Sequence, residues 1–473
     1  MSDNADKVKG KTEDKAIIRR ELLKAGATAL AVGVAAQAQQ APQPAGSPAV
    51  LTGAQAGRKF RAWLGNAANG VVEQLELLPI GERQVLVRTE ASAPCYTLVL
   101  NGIGGTPSNP PQQPNPANPN GGNPNAGNAA ILNHTFVGVV EAVGPQVKRV
   151  QRGDRVIVGV TSQCGQCYPC LHGRADACQF TFGVTGGFPP IAKRASGALV
   201  GAQLGIGGLA ELNVVFEEYV CPVFTQVPAA ELSLLGDTAA TGVAAAMCLM
   251  RVEPGSDVAV IGAGALGISA VQAARIMGAG QVIAIEPIKY RRDLAMKLGA
   301  TTVLDPNQEG NNLVERVREL CKGPTDRLFS GGVSWSTGRG ADNRGADFTI
   351  EAVGKCGDRP KVEQPPDPTG ILPMQQAWQF TRRSGSLIYL GFGQVGNVSY
   401  PASQFANNGR TVISGQQGGL NMMRDLPRFV RLIERGQLDL KTMVTSTWPL
   451  EKTRDAFQVL SDRTELCPVV VFS

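Results

Sequence analysis

Val258-Ala259-Val260-Ile261-Gly262-Ala263-Gly264-Ala265-Leu266-Gly267 reads as a buried strand running into a glycine-rich turn, with a helical stretch continuing to Met277. This context of strand before and helix after makes the pattern a dinucleotide fingerprint rather than a chance spacing of glycines. Gly262 permits the tight turn, Gly264 lets a pyrophosphate approach the backbone, and Gly267 lets helix and strand pack closely. The helix that opens at Ala265 and Leu266 offers unpaired N–H groups and a positive dipole end to phosphate. A second strand over residues 281–285 ends at Glu286, nineteen residues after Gly267. A carboxylate there accepts hydrogen bonds from both ribose hydroxyls and repels a 2′-phosphate, which favours NAD over NADP. Arg291 and Arg292 lie nearby and pull the other way. The alternative is a glycine-rich turn in an ordinary α/β protein.

Working outward, residues 237–395 alternate apolar β runs (258–261, 281–285, 347–351, 387–390) with helical stretches. That alternation predicts an α/β fold, a doubly wound parallel sheet of the Rossmann kind. Residues 58–236 differ: short β-rich runs at 84–88, 136–140 and 155–158 are separated by turn residues, predicting an antiparallel, partly barrel-like domain. Residues 104–130 interrupt it with Asn, Pro, Gly, Gln and small residues only. Such a segment cannot bury enough surface to offset its ordering entropy, and is expected to be a surface loop or an active-site lid. Residues 396–473 are mixed, end in a strand-like run at 469–472, and are expected to return to the first domain.

Of the 473 residues, 43% are hydrophobic and only 5% aromatic, which fits a globular chain with an aliphatic core. The net charge of +6 is too small and dispersed for a nucleic-acid partner. Two histidines occur, His134 and His172, so any imidazole chemistry uses one of them. At the start, residues 1–38 carry Arg19-Arg20, a mildly apolar run over 25–36 and the small-x-small site Ala36-Gln37-Ala38. This layout resembles a twin-arginine export signal, followed by a linker over 39–57, and implies the export machinery as a partner and the periplasm or exterior of a bacterium as destination. Its apolar run is too short for a stable membrane span.

Cys164, Cys167, Cys170 and Cys178 fall within fifteen residues. Four thiolates on so tight a loop (the lobe 164–178) can close a tetrahedron around zinc with no open position, which makes a structural site. An iron–sulfur cluster and two disulfides are the alternatives. His172, inside the lobe, is expected at the surface.

The cysteine spacing, Gly153-Asp154-Arg155-Val156 before it, and the fingerprint with Glu286 after it resemble the zinc-dependent alcohol dehydrogenases of the medium-chain superfamily. The resemblance spans residues 58–473, apart from 104–130 and the stretches 325–345 and 356–372. It implies a GroES-like catalytic domain beside the Rossmann domain, a homo-oligomer, and a second, catalytic zinc. On the matching positions that zinc is held by Cys95, His134 and Asp237, with Asp237 standing where cysteine is more usual. Zinc would act as a Lewis acid on an alcohol oxygen, Thr97 would pass the hydroxyl proton outward, and Thr241 would sit near the nicotinamide. The chain also departs from the family. Thr135 and Leu98 replace carboxylates that orient the ligands, each loss worth roughly 10–100-fold in metal affinity. Leu100 stands where a relay histidine is common, and Tyr96 and Cys467 stand where basic residues hold the pyrophosphate.

The reading is an NAD-linked oxidoreductase acting on an alcohol, aldehyde or ketone. Two others stay open: a non-catalytic NAD-binding or sensing protein on the same scaffold, and a reductase without the catalytic zinc.

Overall fold

The computed structural model describes residues 56–65, 70–99, 103, 130–182, 188–322, 344–354, 371–391 and 397–473. Residues 1–55, which hold the expected export signal and most of the expected linker, and almost all of the segment 104–130 lie outside the described residues.

The nucleotide half is a six-stranded parallel sheet in the order Thr302–Leu304, Gln281–Ile285, Asp257–Ile261, Ala346–Glu351, Thr381–Tyr389, Thr411–Ile413. Residues 258–261 and 282–285 at its centre are apolar throughout because both faces of the sheet are covered there. Val258 and Val260 point into one core with Ala270, Val271 and Ala274. Ala259 and Ile261 point into the other with Trp378, Phe380 and Leu387. The period of two is thus kept while every position is buried. The first strand lies in the middle, with Gln281–Ile285 on one side and Ala346–Glu351 on the other, so a crevice opens at its C-terminal end. The expected strands are all present. One boundary needs correction: Thr411–Ile413 completes this sheet, so the nucleotide domain runs past residue 395.

The other half holds a small closed barrel, Lys59–Gly65, Val71–Leu77, Ala192–Lys193, Leu199–Ala202 and Ala130–Ile131. Beside it lies a sheet ordered Val220–Pro222, Arg155–Val158, Phe136–Val143, Gln84–Ser92, Cys467–Val471, Val444–Trp448, with Leu212–Phe216 also on Gln84–Ser92. The chain's last strand therefore returns to the first domain. Val470 pairs with Ser92 and Val471 with Ala91, three to four residues before Cys95. Among the described residues no single helix is long and apolar enough to cross a membrane.

Candidate metal centre and dinucleotide loop

Three loops from the first domain and the domain junction meet at one point. Cys95 follows Gln84–Ser92 and opens the short turn Tyr96–Leu98. His134 lies two residues before Phe136–Val143 and bridges to Gly207. Asp237 separates the turn Ser233–Gly236 from the helix Thr238–Ala244. The thiol sulfur, an imidazole nitrogen and a carboxylate oxygen all lie within 4.8 Å of one another. Cys95 and His134 are each only 6% exposed.

The donor set fits a metal ion better than a Cys–His–Asp nucleophilic triad. In a triad the acid and the thiol bond opposite ring nitrogens. Here Asp237 Oδ2 faces His134 Nε2 at 3.1 Å, while Nδ1 is buried with no hydrogen-bond partner among the described residues. Thiol and carboxylate share one side of the ring. Burial works against a charged imidazole, yet Cys95 and Asp237 outweigh it and raise His134 to about 10. Burial likewise opposes the Asp237 carboxylate, and His134 more than compensates, holding it below its usual range. A proton on His134 thus serves as the local counter-charge, a task for which a divalent cation is better suited.

Thr97 Oγ1 lies 3.1 Å from Cys95 Sγ, and Thr97 is exposed, so its hydroxyl joins the donor set to solvent. Thr241 donates to the Asp237 carbonyl from both its N–H and its hydroxyl, at 2.9 and 2.8 Å. Thr135 sends its hydroxyl to the Val158 carbonyl, and Leu98 is buried in a hydrophobic cluster, so neither supports a ligand as a carboxylate would.

Two residues that sequence reasoning missed do touch this region. Asn133 is fully buried with φ of 80°, and its amide reaches Ser92, Ala93 and Thr135. Gln417, with φ of 45°, bonds Asp237 Oδ1 from 180 positions away. Asparagine is enriched at positive φ, so Asn133 could have been noticed; nothing local marks Gln417.

In the cysteine lobe the four sulfurs also converge within 4.8 Å, with Cys167 and Cys178 sulfurs 3.9 Å apart, far beyond a disulfide bond of about 2.05 Å. Burial opposes ionisation of Cys167, but N–H groups of Cys170 and Gln179 and the adjacent thiols bring it down to about 6. Burial and the neighbouring sulfurs push Cys170 up to about 12. One thiolate is stabilised at the expense of the next, a conflict that a bound cation removes. His172 is exposed, stacked on Tyr168, and outside the cluster.

At the dinucleotide loop each glycine has its own reason. Gly262 has φ of 88°, and a Cβ on Gly267 would sit 1.8 Å from the Gly262 carbonyl. A Cβ on Gly264 would meet nothing within 4 Å, so this face of the loop is open. The helix Ala265–Ile276 begins there with its first N–H groups toward the crevice. Glu286 is buried and accepts from Ala263 N–H at 2.7 Å and Ile288 N–H at 3.0 Å, so it braces the loop itself. Arg292 turns to the Glu286 carbonyl and pairs with Asp305 at 3.1 Å. Arg291 stacks on Tyr290.

Positive charge also reaches the two positions that lack it. Arg463 Nη2 lies 3.0 Å from the Tyr96 hydroxyl with its guanidinium over that ring, and the Arg463 carbonyl accepts from Tyr290. Burial pushes the Cys467 thiol up to about 12, opposed by Arg291 close by.

Residues 81–225 match the alcohol dehydrogenase GroES-like domain, and residues 265–358 match the zinc-binding dehydrogenase domain. The chain carries both domains of the zinc-dependent dehydrogenases. Curated relatives agree: the S-(hydroxymethyl)glutathione dehydrogenase of Haemophilus influenzae is 28% identical over 393 residues, 82% of this chain and 90% of that protein. The Escherichia coli protein of the same name is 25% identical over 405 residues, covering 84% and 95%. Among solved structures, an alcohol dehydrogenase zinc-binding domain protein from Burkholderia ambifaria superposes with a TM-score of 0.70 at 25% identity, covering 88% of this chain and 99% of that one. Benzyl alcohol dehydrogenase from Acinetobacter calcoaceticus shares the fold, with a TM-score of 0.68 at 22% identity and coverage of 88% and 100%. These matches support an oxidoreductase built from the domains of the zinc-binding dehydrogenases.

Proposed function

We propose that the chain is an NAD-dependent alcohol or aldehyde oxidoreductase with two zinc sites, a catalytic one at Cys95, His134 and Asp237 and a structural one in the cysteine lobe. The observation that carries this reading is the convergence of a thiol, an imidazole nitrogen and a carboxylate on one buried point, with the imidazole's other nitrogen turned away. Bound there, zinc would polarise a substrate oxygen, and the nicotinamide would accept or deliver the hydride. The chain's own groups do the rest. Thr97 moves the substrate proton toward solvent through its exposed hydroxyl. Thr241 fixes the start of the Asp237 helix and lines the nicotinamide side. Glu286 holds the loop and keeps lone pairs for the ribose, a carboxylate having about four acceptor sites. The tethering of Arg292 to Asp305 supports NAD over NADP. Arg463, presented by Tyr96, is the cation we assign to the cofactor phosphates.

Export by the Arg19-Arg20 signal and assembly as a homo-oligomer complete the reading. The S-(hydroxymethyl)glutathione dehydrogenases among the relatives make small alcohols and hydroxymethyl adducts the first substrates to assay. The test is turnover with NAD by the wild type and by His134→Ala. Activity should fall at least roughly a thousandfold in the variant, a loss of several kcal/mol of barrier lowering. Undiminished turnover would remove the catalytic site.

A further inference from the structure

Six non-glycine residues among those described have positive φ, and two of them border the three-donor centre. Asn133 stands directly before His134. Its φ of 80° is one that glycine or asparagine adopts at low cost and most side chains do not. Glycine would supply the turn alone; asparagine adds an amide. Asn133 Nδ2 lies 2.7 Å from Ser92 Oγ, 2.9 Å from the Ala93 carbonyl and 3.2 Å from the Thr135 carbonyl. Ser92 Oγ in turn donates to the Thr135 carbonyl at 2.8 Å. One buried amide thus joins the end of the strand leading to Cys95 to the residue after His134. The segments bearing two of the donors cannot separate without breaking it.

Gln417 holds the third donor. It sits in the turn Gln416–Gly419, with φ of 45°. Its Nε2 lies 3.3 Å from Asp237 Oδ1 and 3.4 Å from the Gly236 carbonyl, and its Oε1 accepts from the Thr161 hydroxyl. With Oδ1 engaged, Asp237 offers Oδ2, the oxygen that faces His134 Nε2. Both amides are neutral, whereas Thr135 and Leu98 leave no carboxylate beside the ligands. Cys95 as thiolate and Asp237 as carboxylate then balance a divalent ion without surplus charge.

We propose that Asn133 and Gln417 are the positioning residues of the three-donor centre: Asn133 sets the separation of Cys95 from His134, and Gln417 restricts Asp237 to one coordinating oxygen. This rests on the proposed metal site. The geometric cost of losing such partners is roughly 10–100-fold in metal affinity.

The experiment uses the full-length protein, loaded with zinc or with cobalt(II), and the variants Asn133→Gly and Gln417→Ala. Asn133→Gly keeps the backbone conformation and removes the amide. Gln417→Ala lies in a half-buried turn outside the sheets, so it tests the idea should Asn133→Gly fail to fold. Competition with a chromophoric chelator should show one of two zinc ions weakened roughly 10–100-fold in each variant, the lobe ion unchanged. The cobalt spectrum should lose visible intensity in Gln417→Ala, as a second carboxylate oxygen raises the coordination number. Asn133→Asp, which keeps the shape but replaces the donor amide with an acceptor-only carboxylate, should not restore wild-type affinity. Wild-type zinc affinity and an unaltered cobalt spectrum in Gln417→Ala would overturn the proposal. A wild type that binds one metal per chain would overturn it differently, by removing the centre itself.

Discussion

At the scale of single residues, the clearest contrast is between two glycines of the dinucleotide loop. Gly264 has φ of −70°, and a Cβ there meets nothing, whereas one on Gly267 meets backbone. Gly264→Ala should therefore melt at or slightly above the wild-type temperature, because alanine restricts the unfolded chain by about 0.4–1 kcal/mol. Its methyl group would occupy the phosphate's space, so NAD affinity should fall roughly tenfold or more, about 1.4 kcal/mol. Gly267→Ala should instead destabilise the fold by about 1–3 kcal/mol or more. Calorimetry with NAD titration separates the two; unchanged NAD affinity in Gly264→Ala would place the cofactor elsewhere. Glu351 gives a pH test. Fully buried at the end of Ala346–Glu351, it is pushed up to about 7 by burial, against N–H donors from Val353 and Gly391. The folded state then holds a proton that the unfolded chain loses at about 4.5. Stability from this group is complete below 4.5 and is lost as pH rises through 7. Glu351→Gln should gain melting temperature relative to wild type between pH 5 and pH 8; a pH-independent difference would contradict this. Such residues were only partly legible. The glycines, Glu286 and the four lobe cysteines follow from local spacing, whereas Cys95, His134 and Asp237 follow only from the family resemblance. Gln417 and Arg463 follow from neither, because their roles arise from chain segments brought together from far away in sequence.

At the scale of elements, the cysteine lobe is the piece with the least apolar support. Between Cys164 and Cys178 only Ala175, Asp176 and Cys178 are buried. Asp176 is tied by Arg174 at 2.8 Å, and Arg174 also reaches the Ser414 carbonyl next to the strand Thr411–Ile413. Metal is therefore expected to supply most of the lobe's order, and metal binding free energy becomes local folding free energy. Cys170→Ser should lose one zinc per chain and become sensitive to proteolysis within 164–178, with the Rossmann half protected. A variant with full metal content and wild-type protease resistance would return the lobe to an ordinary loop. The elements themselves were readable. Gln281–Ile285 and Arg155–Val158 coincide with the expected runs, since strands buried on both faces carry unbroken apolar sequence. Thr411–Ile413 was not read. It is a three-residue edge strand, half exposed, with no hydrophobic run to announce it.

At the scale of the whole molecule, the two halves divide the labour. The barrel and its sheet bring Cys95 and His134 together, the doubly wound sheet presents the Gly262–Gly267 loop, and Asp237 stands where they join. If export through Arg19-Arg20 is correct, the protein works where free NAD is scarce and should keep its nicotinamide. Protein from the exported fraction, desalted and denatured, should release near-stoichiometric NAD or NADH; an empty protein needing millimolar added NAD would end that idea. The central claim is that two metal sites of different kinds sit in one oxidoreductase. Metal analysis of the protein as purified tests it most directly, paired with His134→Ala. Two zinc ions per chain are expected in the wild type and one in the variant, with the melting temperature unchanged. One zinc per chain in both proteins would contradict the account.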